Sequence, residues 1–274
     1  MSPDYRQWFL LNASPDIQAQ IESFSALRPG SAPDGPGSAP DGPGSAPVDS
    51  ESRTVPIRAV LLSDAELDHT LGLLLLREGR GLEVHATVAA HDTLCDGTSL
   101  LRTLEAYCPV SWVRVMPGRD TPLGGGLSYR AFDVPTTKRA RFGPETAPGR
   151  VVGYRITDER SGRALVYLPG VQKLTPAVRA EVRDCACLLV DGTCWRDDEL
   201  TRLGLAAKTA RAMGHLPIDG PGGSLGPLSA LPAEHKIYTH VNNTNPILLE
   251  DSAERGIVER HGLRVAEDGM ELQI

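Results

Sequence analysis

The 274-residue sequence is poor in aromatic side chains, at 5%, and holds five cysteines. Cys95, Cys108, Cys185, Cys187 and Cys194 are odd in number and include no second pair at zinc-finger spacing, which argues against a disulfide framework or a zinc module. They read as buried core thiols. No apolar run approaches the roughly 20 residues that cross a bilayer. The opening Met-Ser-Pro-Asp-Tyr-Arg lacks the basic start and apolar stretch of a signal peptide. A cytoplasmic protein without membrane insertion is expected. Positive charge is also scarce: the net charge is −7 and the Lys and Arg residues are scattered, which argues against a nucleic-acid partner. A phosphate loop is missing as well, since Gly124-Gly125-Gly126 has no following Lys-Ser/Thr and reads as a hairpin turn.

Glycine and proline are plentiful, with 28 and 22 residues. Many fall in a seven-residue repeat from Gly30, GSAPDGP, GSAPDGP, GSAPVDS. Such a composition buries too little surface to offset its ordering entropy, so a disordered insert is expected over about 29–50, inside a single domain spanning 1–274. Strands are expected at 8–11, 57–62, 83–86, 112–116, 127–134, 151–157, 163–168, 187–191 and 236–240, with helices at 15–27, 70–77, 98–106, 175–182, 198–212 and 250–261. Ser14-Pro15 supplies an N-cap and first helical residue for the first helix. VVGYRITDERSGRALVYLPG reads as a hairpin. Many strands mixed with helices predict an α/β protein with two sheets and helices outside them.

Three places carry chemistry. In AVLLSDAELDHTLGLLLLREG an apolar strand runs into Asp64, Glu66, Asp68 and His69, four ionisable groups that are costly at a buried strand end unless something binds them. The second is CLLVDGTCW with Asp191, followed by MGHLPIDG with His215; the third is KIYTHVNNTNPIL, where His240 leads into Asn242 and Asn243. Two readings stand for His215: a loop histidine bonded to a carbonyl, or a side chain in the pocket. Asp191 either caps a turn or faces a metal. His85, His91, His235 and His261 read as surface or structural residues.

The layout of the first and third places resembles the metallo-β-lactamase superfamily, whose His-x-His-x-Asp-His frame follows a strand and binds one or two metals at the mouth of an αββα sandwich. Here the frame is Asp64-x-Glu66-x-Asp68-His69, with both leading histidines replaced. With FLLNASPDI, AELDHTLGLLLLREG, MGHLPIDG and HVNNTNPILLEDSAERG, the sequence resembles one branch, the PqqB family of pyrroloquinoline quinone (PQQ) biosynthesis, from Trp8 almost to the C-terminus outside the repeat. Members of that family carry a Gly-rich strand and a cysteine-rich, zinc-binding segment ahead of the point where this sequence starts, so relative to them it reads as N-terminally shortened.

The resemblance implies that the first metal position is dismantled, since the segment AFDVPTTKRARFGPETAPGRVVGYRI has no histidine where the superfamily's mid-chain one would fall. Asp68, His69 and His240 remain as ligands and catalytic centre. Two histidines and a carboxylate with open positions form the facial triad of non-haem Fe(II) oxygenases. Asp64, Glu66, Asp191, His215, Asn242 and Asn243 are expected to orient ligands or bind substrate. The implied activity is Fe(II)- and dioxygen-dependent hydroxylation of the tyrosine ring of a Glu-Tyr unit, in company with other PQQ biosynthesis proteins; the expectation leaves room for a homodimer. Two other readings stay open: a Zn(II)-dependent hydrolase, and a soluble carrier moving the quinone or its precursor towards the periplasm.

Overall fold

The computed structural model describes residues 7–27, 56–77, 81–145 and 147–274. The repeat at 29–50 lies outside them. Among the described residues, four parallel strands, β1 (Trp8–Leu11), β2 (Ile57–Leu61), β3 (Leu82–Ala86) and β4 (Val110–Arg114), form one sheet in that order. Seven more, β5 (Asp120–Gly124), β6 (Leu127–Asp133), β7 (Val152–Asp158), β8 (Ala164–Leu168), β9 (Cys187–Asp191), β10 (His235–Thr239) and β11 (Arg264–Val265), form a second in the order β11-β10-β9-β8-β7-β6-β5. Its β5–β8 half is antiparallel and its β8–β11 half parallel. The strands beneath the site are largely apolar, β2 but for the exposed Arg58 and β9 up to its last residue, Asp191, as expected where both faces of a parallel sheet are covered.

The helices are α1 (Ile17–Ser23), α2 (Leu67–Thr70), α3 (Val88–Asp92), α4 (Leu100–Glu105), α5 (Pro176–Val182), α6 (Glu199–Arg202), α7 (Ala210–Met213), α8 (Leu225–Ser229) and α9 (Ala253–Arg260). Three apolar cores define the layers. Leu61 and Val115 meet Leu123, Tyr129, Ala131 and Tyr154 between the sheets. Val60, Val84 and Ala86 pack under Leu73, Leu101 and Leu104 on one outer side. On the other, Val166, Leu188 and Val190 pack under Val178, Leu228 and Val258. The result is the expected αββα sandwich.

The hairpin forms as β7 and β8, with Asp158 accepting from the Arg160 N–H and the Ser161 hydroxyl across its turn. Gly125 and Gly126 turn β5 into β6 at positive φ. All five cysteines are free thiols and all but Cys95 are buried.

Several expectations are corrected. Strand β5 escaped notice because Pro122 and Gly124 mask it; an edge strand tolerates the missing N–H. The 198–212 helix is two short ones, α6 and α7, because Gly204 adopts φ +69 and ends the first. The first helix starts at Ile17 behind Asp16 and ends at Ser23; the Ala13 carbonyl instead accepts the N–H of Gly72, where a Cβ would lie 2.1 Å from the Ser14 oxygen. The 70–77 helix begins earlier, as α2 from Leu67, and continues as a 3-10 turn over Leu71–Leu76. Asp68 and His69 therefore sit in a helical first turn pinned against Ala13-Ser14.

Candidate metal centre

The loops leaving the carboxyl ends of β2, β9 and β10 converge on one cleft of about 1470 Å³, lined among others by Asp64, Glu66, Asp68, His69, His215 and His240. Parallel β9 and β10 release their loops on the same side, which brings Asp191 beside His240, and the stacking of the two sheets brings His240 against His69. His240 follows β10 with φ +54, a left-handed turn that aims its ring back towards the first sheet.

His69 is buried, and its two nitrogens are treated oppositely. Nδ1 lies 2.8 and 2.9 Å from the Asp64 carboxylate oxygens. Asp64 is further fixed by the Ser63 hydroxyl at 2.9 Å and the Glu66 N–H at 2.9 Å. Burial alone would raise the Asp64 pKa, but the adjacent His69 outweighs it and holds the carboxyl below its ordinary range. Burial likewise opposes charge on His69, and Asp64 reverses that, raising the imidazole. With Asp64 ionised, Nδ1 carries the proton. Nε2 is buried with no hydrogen-bond partner and faces Asp68 Oδ2 at 3.8 Å.

His240 brings its own Nε2 to 3.1 Å from the same Asp68 oxygen, with its ring centroid 4.8 Å from that of His69. The donors of Asp68, His69 and His240 lie within 4.8 Å of one another. Bonds of about 2.1 Å to a shared cation would set ligand separations of roughly 3–3.5 Å, so the three fit one metal ion with little movement. An orphaned buried imidazole nitrogen beside a carboxylate and a second imidazole nitrogen is a donor set, not a satisfied core contact.

Behind His240 sits fully buried Asp191. Its Oδ2 accepts from the Val171 N–H at 2.9 Å and faces His215 Nδ1 at 2.8 Å; its Oδ1 accepts from the Thr193 N–H at 3.0 Å and the Thr193 hydroxyl at 2.6 Å. Thr193 Oγ1 stands 2.8 Å from His240 Nδ1. Asp191, His215 and His240 also bring ligand-type atoms together. Those atoms bond one another and Thr193, so that the cluster forms a hydrogen-bond hub behind His240. Burial works to raise the Asp191 pKa, yet His215 and His240 hold it far below the ordinary carboxylate range. Burial works to lower His240, but Asp191 and Asp68 lift it to about 10.

Asp191 thus caps the Asp-Gly-Thr turn and orients two histidines at once. His215 bonds a carboxylate, not a carbonyl, and lines the cleft. Glu66 turns to the cleft mouth, pairing with Lys138 at 3.0 Å and Arg141 at 3.3 Å. Asn242 and Asn243 do not line the cleft: the Asn242 amide donates to Thr244 Oγ1 at 2.8 Å, and Asn243 is exposed. The asparagine that stabilises this turn is Asn245, buried, donating to the Gly192 carbonyl at 2.8 Å. His85 is buried and structural, between Tyr129 and Glu83. Sequence reasoning missed Thr193, Ser63, Asn12, Lys138 and Arg141; a hydroxyl two residues after Asp191 and the asparagine in FLLNASPDI were the available signals.

Residues 7–241 match the Beta-lactamase superfamily domain. The chain is 40% identical over 280 residues to the coenzyme PQQ synthesis protein B of Azoarcus sp. (strain BH72), covering 99% of this chain and 85% of that one. It is 41% identical to the protein of that name from Cupriavidus necator, covering 97% and 83%. The crystal structure of Zn(2+)-bound PqqB from Methylobacterium extorquens superposes with a TM-score of 0.79 at 33% identity, covering 100% of this chain and 85% of that one. A diphosphatase of the PhnP family, at 16% identity and a TM-score of 0.61, shares the fold. With its sandwich, its altered Asp64-x-Glu66-x-Asp68-His69 frame and relatives matched along nearly its whole length, the chain belongs to the coenzyme PQQ synthesis protein B family of the β-lactamase superfamily.

Proposed function

We propose that Asp68, His69 and His240 hold a single Fe(II) and that the protein, with dioxygen and a two-electron reductant, hydroxylates the tyrosine ring of a Glu-Tyr-derived PQQ precursor, the second oxygen atom leaving as water, and acts beside the other proteins of that pathway. The observation that carries the reading is the bare Nε2 of His69 beside Asp68 and His240. Two imidazoles and one carboxylate leave coordination positions free, the arrangement of non-haem iron oxygenases. Bound iron would supply the redox chemistry that dioxygen activation requires. The protein's share is positional: Asp64 keeps His69 in the Nδ1–H tautomer, and Thr193 with Asp191 does the same for His240. Lys138 and Arg141, held at the mouth by Glu66, offer cations that can exchange that partner for the carboxylates of an acidic dipeptide. The cleft has room for a dipeptide but not for a folded precursor.

Zinc is the second reading, because the Methylobacterium extorquens relative binds Zn(2+) and imidazole with carboxylate suits that ion as well. A zinc form would favour hydrolysis or, without turnover, a carrier of the quinone. Anaerobically purified protein loaded with Fe(II) and given Glu-Tyr peptide and a two-electron reductant such as ascorbate under ¹⁸O₂ should yield a product heavier by one labelled oxygen. Label arriving from water, or equal turnover with zinc, would overturn the oxygenase reading; quinone binding without turnover would favour the carrier.

A further inference from the structure

Asn12 follows β1 beside the end of β2, with Leu11 paired to Leu61, and does not line the cleft. It is buried, at 7% exposure, and holds φ +63. Glycine would suit that backbone at less cost if only the turn mattered, so the side chain is the part in use. Its amide is fully engaged. Oδ1 accepts the Ser63 N–H at 2.8 Å, which fixes the amide's orientation; Nδ2 donates to Ser63 Oγ at 3.0 Å and to Tyr167 Oη at 3.1 Å. The Ser63 hydroxyl has one proton. Because its oxygen accepts from Asn12, that proton goes to Asp64 Oδ2, and Asp64 in turn holds Nδ1 of His69. Tyr167, on β8, ties the chain of bonds to the opposite sheet.

We propose that Asn12 is a positioning residue for the metal ligand His69: by setting the direction of the Ser63 hydroxyl it locks the Asp64 carboxylate, so that His69 presents Nε2 to the cleft. The inference rests on reading Asp68, His69 and His240 as the metal site, and it gives the FLLNASPDI stretch a task away from the reacting centre. An aspartate at this position would be nearly isosteric but would compete with Asp64 for the single Ser63 proton. A glycine would keep the turn and delete the amide.

The test is titration of the metal-free protein with Co(II), read by its visible absorption, for wild type, Asn12→Asp, Asn12→Gly, Ser63→Ala and the Asn12→Asp/Ser63→Ala double variant, each checked for folding by circular dichroism. Wild type should take one Co(II). The Asn12 and Ser63 variants should bind about tenfold or more weakly, with an altered absorption band, as loss of a ligand's supporting partner does elsewhere. The double variant should be no worse than the weaker single, because both act through one chain of bonds. If Asn12→Asp does not fold, Asn12→Gly decides. Folded Asn12 variants with wild-type Co(II) affinity and spectrum overturn the proposal, as does additive loss in the double variant. Failure of wild type to bind Co(II) overturns the metal reading itself.

Discussion

His69, carried by the first sheet, and His240, carried by the second, reach the same cleft on different mounts. Each has its Nδ1 turned towards a buried carboxylate, Asp64 directly and Asp191 through Thr193. Asp64 serves one histidine and leaves its Nε2 bare; Asp191 serves two, and His240 spends its Nε2 on Asp68. The first mount is a dedicated bracket and the second a shared hub. A fault in the bracket should misplace one ligand, whereas a fault in the hub should loosen the sheet end that carries it.

The largest expected effect tests whether both histidines are ligands. His69→Ala and His240→Ala should each abolish stoichiometric metal measured by elemental analysis, while the far-UV spectrum of the folded chain persists. Full metal occupancy in both variants would remove the site. Next comes the hub itself. Asp191→Ala strands two imidazoles, the Thr193 hydroxyl and the Val171 N–H, and breaking such a buried charged cluster costs about 3–5 kcal/mol. Asp64→Ala should cost less by denaturant titration, and equal losses would erase the distinction between the mounts.

Protons sharpen the comparison further. The pKa of His240 is raised to about 10 in the metal-free protein, so the stability it lends is complete below the ordinary histidine range, near 6.5, and is lost as pH rises through about 10. A metal needs the unprotonated nitrogen, so metal affinity should move the opposite way and strengthen over the same interval. Thermal denaturation with and without metal from pH 6.5 to 10 should show the two curves diverging; parallel curves would mean His240 is not a ligand. The smallest effect belongs to the cleft mouth. Glu66→Gln breaks two partly exposed ion pairs, worth under about 1 kcal/mol of stability, but frees Lys138 and Arg141 and should lower KM for an acidic dipeptide with kcat unchanged.

The sequence was most legible where burial writes a pattern. The largely apolar runs of β2 and β9 and the hairpin of β7 and β8 are visible because a two-sided or one-sided core dictates side-chain type at most positions. The carboxylates and histidine after β2 stood out because charge at a buried strand end demands a partner. Thr193 and Asn12 did not, since a hydroxyl or amide is ordinary in a turn and acquires its role only from neighbours far away in the chain, His240 for one and Ser63 for the other. Asn242 and Asn243 drew attention by their place after His240, yet the polar atoms of that turn are used to hold the turn itself.

The split of the site between the sheets also bears on how the protein is made. Asp68 and His240 stand 172 residues apart, and β10 must pair with β9 before His240 can reach Asp191. Synthesis delivers the N-terminal part first. With His240 as the proposed third ligand, a nascent chain that has finished β1–β4 would offer only Asp68 and His69, too few donors to retain an ion firmly. On the proposed ligand set, metal capture would wait until the second sheet has closed, and an unfinished chain would be spared a tightly held reactive metal.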